Sequence, residues 1–185
     1  MVWIILLIVV VLVIYLIVLY NRLIVYKNRV DNSWSQVEVQ LRRRYDLIPN
    51  LVETVKGYAS HEKEVLENVT RARQMAMGAQ TPQERGEAEE GITRALRQLF
   101  AVVEAYPALR ANENFQSLQK ELSETEDKIA YARQFYNDTV YKYNTMIEKF
   151  PANIFARSLG FSRREYFEAG EGRGPVQVNF REEGK

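Results

Sequence analysis

The chain contains no cysteine and a single histidine, His61, in 185 residues. Disulfides and thiolate-bound metals are therefore excluded. Charge of one sign is also lacking: 25 Lys and Arg stand against 24 Asp and Glu, a formal net charge of +1. Nucleic-acid or polyanion binding by the whole molecule normally shows a basic excess, so neither is expected. No internal repeat is present, and the length fits one domain. No basic stretch precedes the apolar N-terminus and no small-x-small site follows it, which argues against a cleaved signal peptide.

What the chain does have is a charge-free run from Val2 to Tyr20. At about 1.5 Å per residue a helix over this run is roughly 28 Å long, close to the ~30 Å hydrocarbon core of a bilayer. Arg22, Lys27 and Arg29 follow the run and nothing basic precedes it. The positive-inside rule then predicts an inner-membrane protein with its N-terminus outside and its C-terminal body in the cytoplasm.

The apolar period continues past the span through Leu23, Tyr26 and Val30 into a stripe of Trp34, Val37, Leu41, Tyr45, Ile48, Val52, Val55 and Ala59. Three- and four-residue steps place these on one face of a helix. Anchor and first body helix are thus expected to form one rod. Pro49 lies inside the stripe, where it removes a donor and crowds the Tyr45 carbonyl, so a bend is expected there. Gly57 and Ser60 are a candidate stop and N-cap, with a second helix starting at His61. Thr81-Pro82-Gln83-Glu84 reads as a capping box opening a third helix to Tyr106. Asn112 is expected to cap the last helix. There Phe115, Leu118, Leu122, Thr125, Ile129, Ala132, Tyr136, Thr139, Tyr143, Met146 and Phe150 keep a heptad register up to Pro151.

The predicted fold is all-α, an N-terminal transmembrane helix continuous with an up-and-down antiparallel four-helix bundle. Its expected parts are an anchor at 1–21, the bundle at 22–150, an amphipathic closing segment at 151–169 and a flexible tail at 170–185. The string WSQVEVQLRRRYDLIPNLVETVKGYASHE, with the apolar segment before it and NIFARSLGF after it, resembles the LemA family of bacterial membrane-anchored proteins over nearly the whole chain. The resemblance implies an N-terminal anchor and a helical bundle. It implies no reaction.

Catalytic motifs fail on inspection. His61 and Glu62 begin HEKEV, but Val65 stands where the second ligand of HExxH belongs. A ferritin-like di-iron centre needs two Glu-x-x-His units, which one His cannot supply. GEGRG lacks the Lys-Ser/Thr of a phosphate loop. No catalytic, metal or cofactor residues are assigned, and no cofactor is expected.

Two groups depart from a uniformly solvated surface. Arg42, Arg43 and Arg44 form a basic cluster suited to docking an acidic protein segment. Tyr131, Phe135 and Tyr141 lie off the seam of the last helix, where aromatic side chains are the usual anchors of protein contacts. Arg22, Lys27, Arg29, Phe155, Phe161, Arg163 and Arg164 are candidates for the membrane surface. The expected partners are membrane lipid, further copies of the chain and another membrane protein. The function expected is protein binding, as a self-associating scaffold or an adaptor. The competing classes are a hydrolase or metal enzyme with an unrecognised site and a signalling input module.

Overall fold

A computed structural model describes residues 1–168, and the expected tail at 170–185 lies outside them. Every regular element among the described residues is helical: α1 (Val2–Lys56), α2 (Lys63–Gly78), α3 (Pro82–Val103), α4 (Pro107–Arg110), α5 (Glu113–Glu148) and α6 (Ala152–Ala156). The span and the first body helix are one 55-residue helix. The closest pairings are α1 with α5 and α2 with α3, and α2 also rests on α1. At the end far from the span, Tyr106 reaches Glu62 and Asn112 reaches Tyr58, joining the two turns.

The stripe on α1 is the floor of the core. Val37, Leu41, Tyr45, Ile48, Val55 and Ala59 are buried, with Trp34 and Val52 packed at its margin. Above them stand Val69 and Ala76 of α2, Ile92, Leu96 and Leu99 of α3, and Phe115, Ile129, Tyr136 and Tyr143 of α5. The heptad seam of α5 is thus buried from Phe115 to Tyr143, Leu118 and Met146 being partly covered. Phe150 is the exception. Helix α5 stops at Glu148, and Phe150 turns outward.

Cap chemistry explains the starts of α3 and α5. Thr81 Oγ1 accepts from the Glu84 amide while the Glu84 carboxylate accepts from the Thr81 amide, so the expected capping box is formed. Asn112 Oδ1 likewise accepts from the Phe115 amide. The first turn departs from expectation. Gly57 is right-handed rather than a left-handed cap, Ser60 makes no cap bond, and α2 begins at Lys63 behind Glu62. Backbone bonds from Tyr58 and Ala59 to the Val55 carbonyl close the turn instead. The third helix ends at Val103, short of Tyr106, because the chain tightens into a turn before Pro107.

Helix α1 continues through Pro49. The Tyr45 carbonyl, which loses its helical donor there, accepts from Arg73 Nε of α2 at 2.7 Å. A sequence feature that weakens one helix therefore fastens a second helix to it. Arg73→Met should leave this carbonyl without a donor and cost about 1–3 kcal/mol. Pro49→Ala on that background should recover most of the loss, because the new amide supplies the donor. Thermal unfolding of the two variants would check this, and no recovery would show that Arg73 acts elsewhere.

Candidate functional site

Three places on the body have the geometry for more than packing. The first is a buried ionic cluster between α1, α3 and α5. Arg44 Nη1 donates to Glu89 Oε2 at 2.8 Å, and Nη2 donates to Thr93 Oγ1 at 3.0 Å and meets Glu126 Oε2 at 2.9 Å. Tyr45 donates to the other oxygen of Glu89. Arg44 and Glu89 are both buried. Burial holds the Glu89 carboxyl above the usual carboxylate range, outweighing the attraction of Arg44 and the hydrogen bonds it accepts. The Arg44 side chain therefore ties three helices together from within and is not presented to an acidic partner, which corrects the docking role expected of it. Arg43 is half exposed and lies 3.8 Å from Glu121, and Arg42 is exposed.

The second place is a strap. After Gly160, whose φ of 79° turns the chain, residues 161–168 run extended along α1 and α5. Asn144 donates to the Arg164 carbonyl and accepts from its amide, and Asn137 does the same with Phe167. Seven residues of helix and three of extended chain both advance about 10 Å, so the two Asn side chains match the strap's own repeat. Tyr143 and Tyr136 add bonds to the carbonyls of Ser162 and Glu165. Burial pushes the Tyr136 hydroxyl up to about 12. Phe167 packs edge-on against Trp34 at 5.7 Å, and Arg164 reaches Asp31 at 2.9 Å.

Several residues expected at the membrane surface are therefore engaged by the protein. Phe161 is buried against Tyr20, Arg164 binds Asp31, and Arg163 pairs with Glu148 at 3.0 Å. The burial of Phe161 corrects its expected lipid contact. Phe155 is half-buried, as is Lys27, while Arg22 and Arg29 are exposed. Asn137, Asn144 and Glu89 were not singled out by sequence. Their only signal is the seven-residue spacing of the two Asn, each following a seam tyrosine.

The third place is the outer side of the α1–α5 pair. Val39, Tyr131 and Phe135 are 63%, 74% and 47% exposed. Val39 and Tyr131 share a groove of about 580 Å³ with Gln36, Gln40, Glu124, Asp127 and Lys128. Gln40 Oε1 is buried there without a hydrogen-bond partner. Tyr141 is exposed too, but ten residues from Tyr131 it is rotated about 80° away, on the side of α5 where Asn137 and Asn144 hold the strap. The three aromatics therefore do not form one surface. Among the described residues no group of three or more His, Cys, Asp or Glu is placed to hold a metal, and His61 is exposed.

An all-helical body continuing from an apolar helix, whose most apolar 18-residue window has a mean hydropathy of 3.6 and is 6% buried, defines a membrane-associated helical protein. The chain belongs to the LemA family, whose sequence pattern matches residues 33–180. It is 29% identical over 179 residues to magnetosome protein MamQ 2 of Paramagnetospirillum magneticum, covering 83% of this chain and 66% of that protein. It is 27% identical over 178 residues to MamQ of Magnetospirillum gryphiswaldense, covering 82% and 65%. Protein LemA of Metamycoplasma hominis is 26% identical over 155 residues, covering 82% and 69%. The chain thus spans just under two thirds of the MamQ proteins it matches. None of these names states an enzymatic activity.

Proposed function

We propose that this protein is a non-enzymatic membrane scaffold whose copies associate through the outer side of the α1–α5 pair. The observation that carries the reading is the groove around Gln40, where exposed Val39 and Tyr131 flank a buried amide oxygen that lacks a donor. An unsatisfied buried acceptor costs about 1–3 kcal/mol, and a donor from a second molecule would remove that cost. A second copy is the favoured occupant because the face is mixed in sign. Arg42 and Arg43 line the adjoining groove, while Glu124 and Asp127 line this one. A two-fold contact can set each group against the other. The anchor adds to this by confining copies to two dimensions and raising their effective concentration.

Val39→Glu with Tyr131→Glu should leave helix content and thermal unfolding nearly unchanged while shrinking the detergent-solubilised particle. Tyr141→Glu, on the strap flank, should leave its size unchanged. A monomeric wild type would remove the scaffold and leave the adaptor form, in which another membrane protein fills the groove. The basic residues after the span support an orientation with the body in the cytoplasm. Cysteine at Gln80 should then resist an impermeant thiol reagent in intact cells, and its labelling would reverse the orientation.

A further inference from the structure

We propose that the elbow joining α5 to α6 is a second membrane contact, with Phe150, Ile154 and Leu159 inserted among lipid headgroups and upper acyl chains beside the anchor. The proposal rests on the membrane reading of α1 and goes beyond it in giving the helical body its own lipid-binding edge.

The strap is a ruler laid along α1: Phe161 packs on Tyr20 with ring centroids 5.7 Å apart, Arg164 reaches Asp31, and Phe167 packs on Trp34. Fourteen residues of helix rise about 21 Å, and six of extended chain about 20 Å, so the two run side by side. Ala156, whose carbonyl accepts from the Phe161 amide at 2.9 Å, therefore sets the end of α6 near the level of Tyr20. Helix α5 agrees. Tyr143 binds the Ser162 carbonyl, and the helix then continues five residues, about 8 Å, to Glu148. Leu19 and Leu23 are buried, so protein already covers the last turn of the charge-free run.

That run is roughly as long as the hydrocarbon core is thick, which puts Tyr20 at its boundary. The elbow cannot be at the level of Tyr20 and remain in bulk water. Its chemistry suits the place. Ala152 and Ala156 of α6 face inward, while Ile154, about 200° round from Ala152, is 56% exposed and Phe150 is 80% exposed. Leu159 is exposed beside them. Lys149 and Arg157 lie in the same stretch and can reach lipid phosphates while their stems cover apolar surface. Exposed apolar residues at the end of a soluble helical body would need no such account; their level on α1 is what assigns them to lipid.

The absence of native cysteine allows a clean test with the full chain in phosphatidylcholine–phosphatidylglycerol vesicles. Single cysteines at Val10, Met75, Phe150 and Ile154 would carry an environment-sensitive fluorophore, with quenching by lipids bearing a nitroxide either near the headgroup or deep in the acyl chain; Met75 is 66% exposed on α2, away from the proposed contact between copies. Phe150 and Ile154 are exposed, so labels there disturb no core packing. The expected result is several-fold stronger quenching at Phe150→Cys and Ile154→Cys than at Met75→Cys by the shallow nitroxide, with deep quenching at Val10→Cys. Elbow labels that behave like the Met75 label while Val10 is quenched would overturn the elbow contact and leave the anchor intact. No quenching at Val10 would overturn the membrane reading and this proposal with it.

Discussion

Glu89→Ala should destabilise the protein by about 3–5 kcal/mol, the cost of removing the buried one of the two carboxylates that neutralise Arg44. Arg44 is held in the protein interior by Glu89 and Thr93, with Glu126 reaching it from the more exposed side. Removing Glu89 also leaves the Tyr45 hydroxyl without its acceptor. Arg44→Met with Glu89→Leu should return most of the loss, since apolar side chains of similar volume commonly replace a buried pair at little cost. Urea unfolding of the single and double variants distinguishes the cases. A double variant as unstable as the single one would show that the cluster holds the helices in register as well as neutralising charge.

The same carboxyl predicts a pH dependence. Its folded-state pKa is raised above the unfolded value, chiefly by burial. The folded state therefore binds more protons between those two values, and stability falls as pH rises through that window. The favourable contribution is fully present below the ordinary carboxylate range and is lost once pH passes the raised value. Glu89→Gln cannot ionise, so it should flatten this part of the stability profile. An identical slope in the variant would assign the effect to other groups.

Gly86→Ala should release the strap. A Cβ at Gly86 would lie 1.9 Å from the Glu168 carbonyl oxygen and 2.7 Å from its carbon, so the backbone of the strap must move. Phe167 then loses its place against Trp34, along with its two bonds to Asn137. Burial of a Phe side chain is worth about 1.5–3 kcal/mol. The gain in helix propensity from Gly to Ala is about 1 kcal/mol. Net destabilisation of about 1–2 kcal/mol is expected, with faster tryptic cleavage after Arg163 or Arg164. Gly91→Ala is the control on the same helix, because nothing lies within 4 Å of its Cβ. It should be neutral or stabilising, and equal behaviour of the two variants would place the strap's end away from Gly86.

Helices α1, α3 and α5 are legible in the sequence, because each has a local cause. The period of the α1 stripe, the charge-free run, the Thr81–Glu84 capping box and the heptads after Asn112 act within one or two turns. Such signals reveal which face of a helix is apolar. They say little about which polar residue on that face will find a partner from another helix. Tertiary packing alone puts Arg44 inside while Arg42 and Arg43 stay out, since the choice depends on Glu89, 45 residues away, arriving opposite it. It also decided that residues 161–168 form a strap, because Asn137 and Asn144 supply the backbone partners that no local pattern could show. The separation of Tyr141 from Tyr131 and the outward turn of Phe150 belong to the same class. Helical period gives an angle around one axis, whereas burial depends on where the neighbouring axes lie.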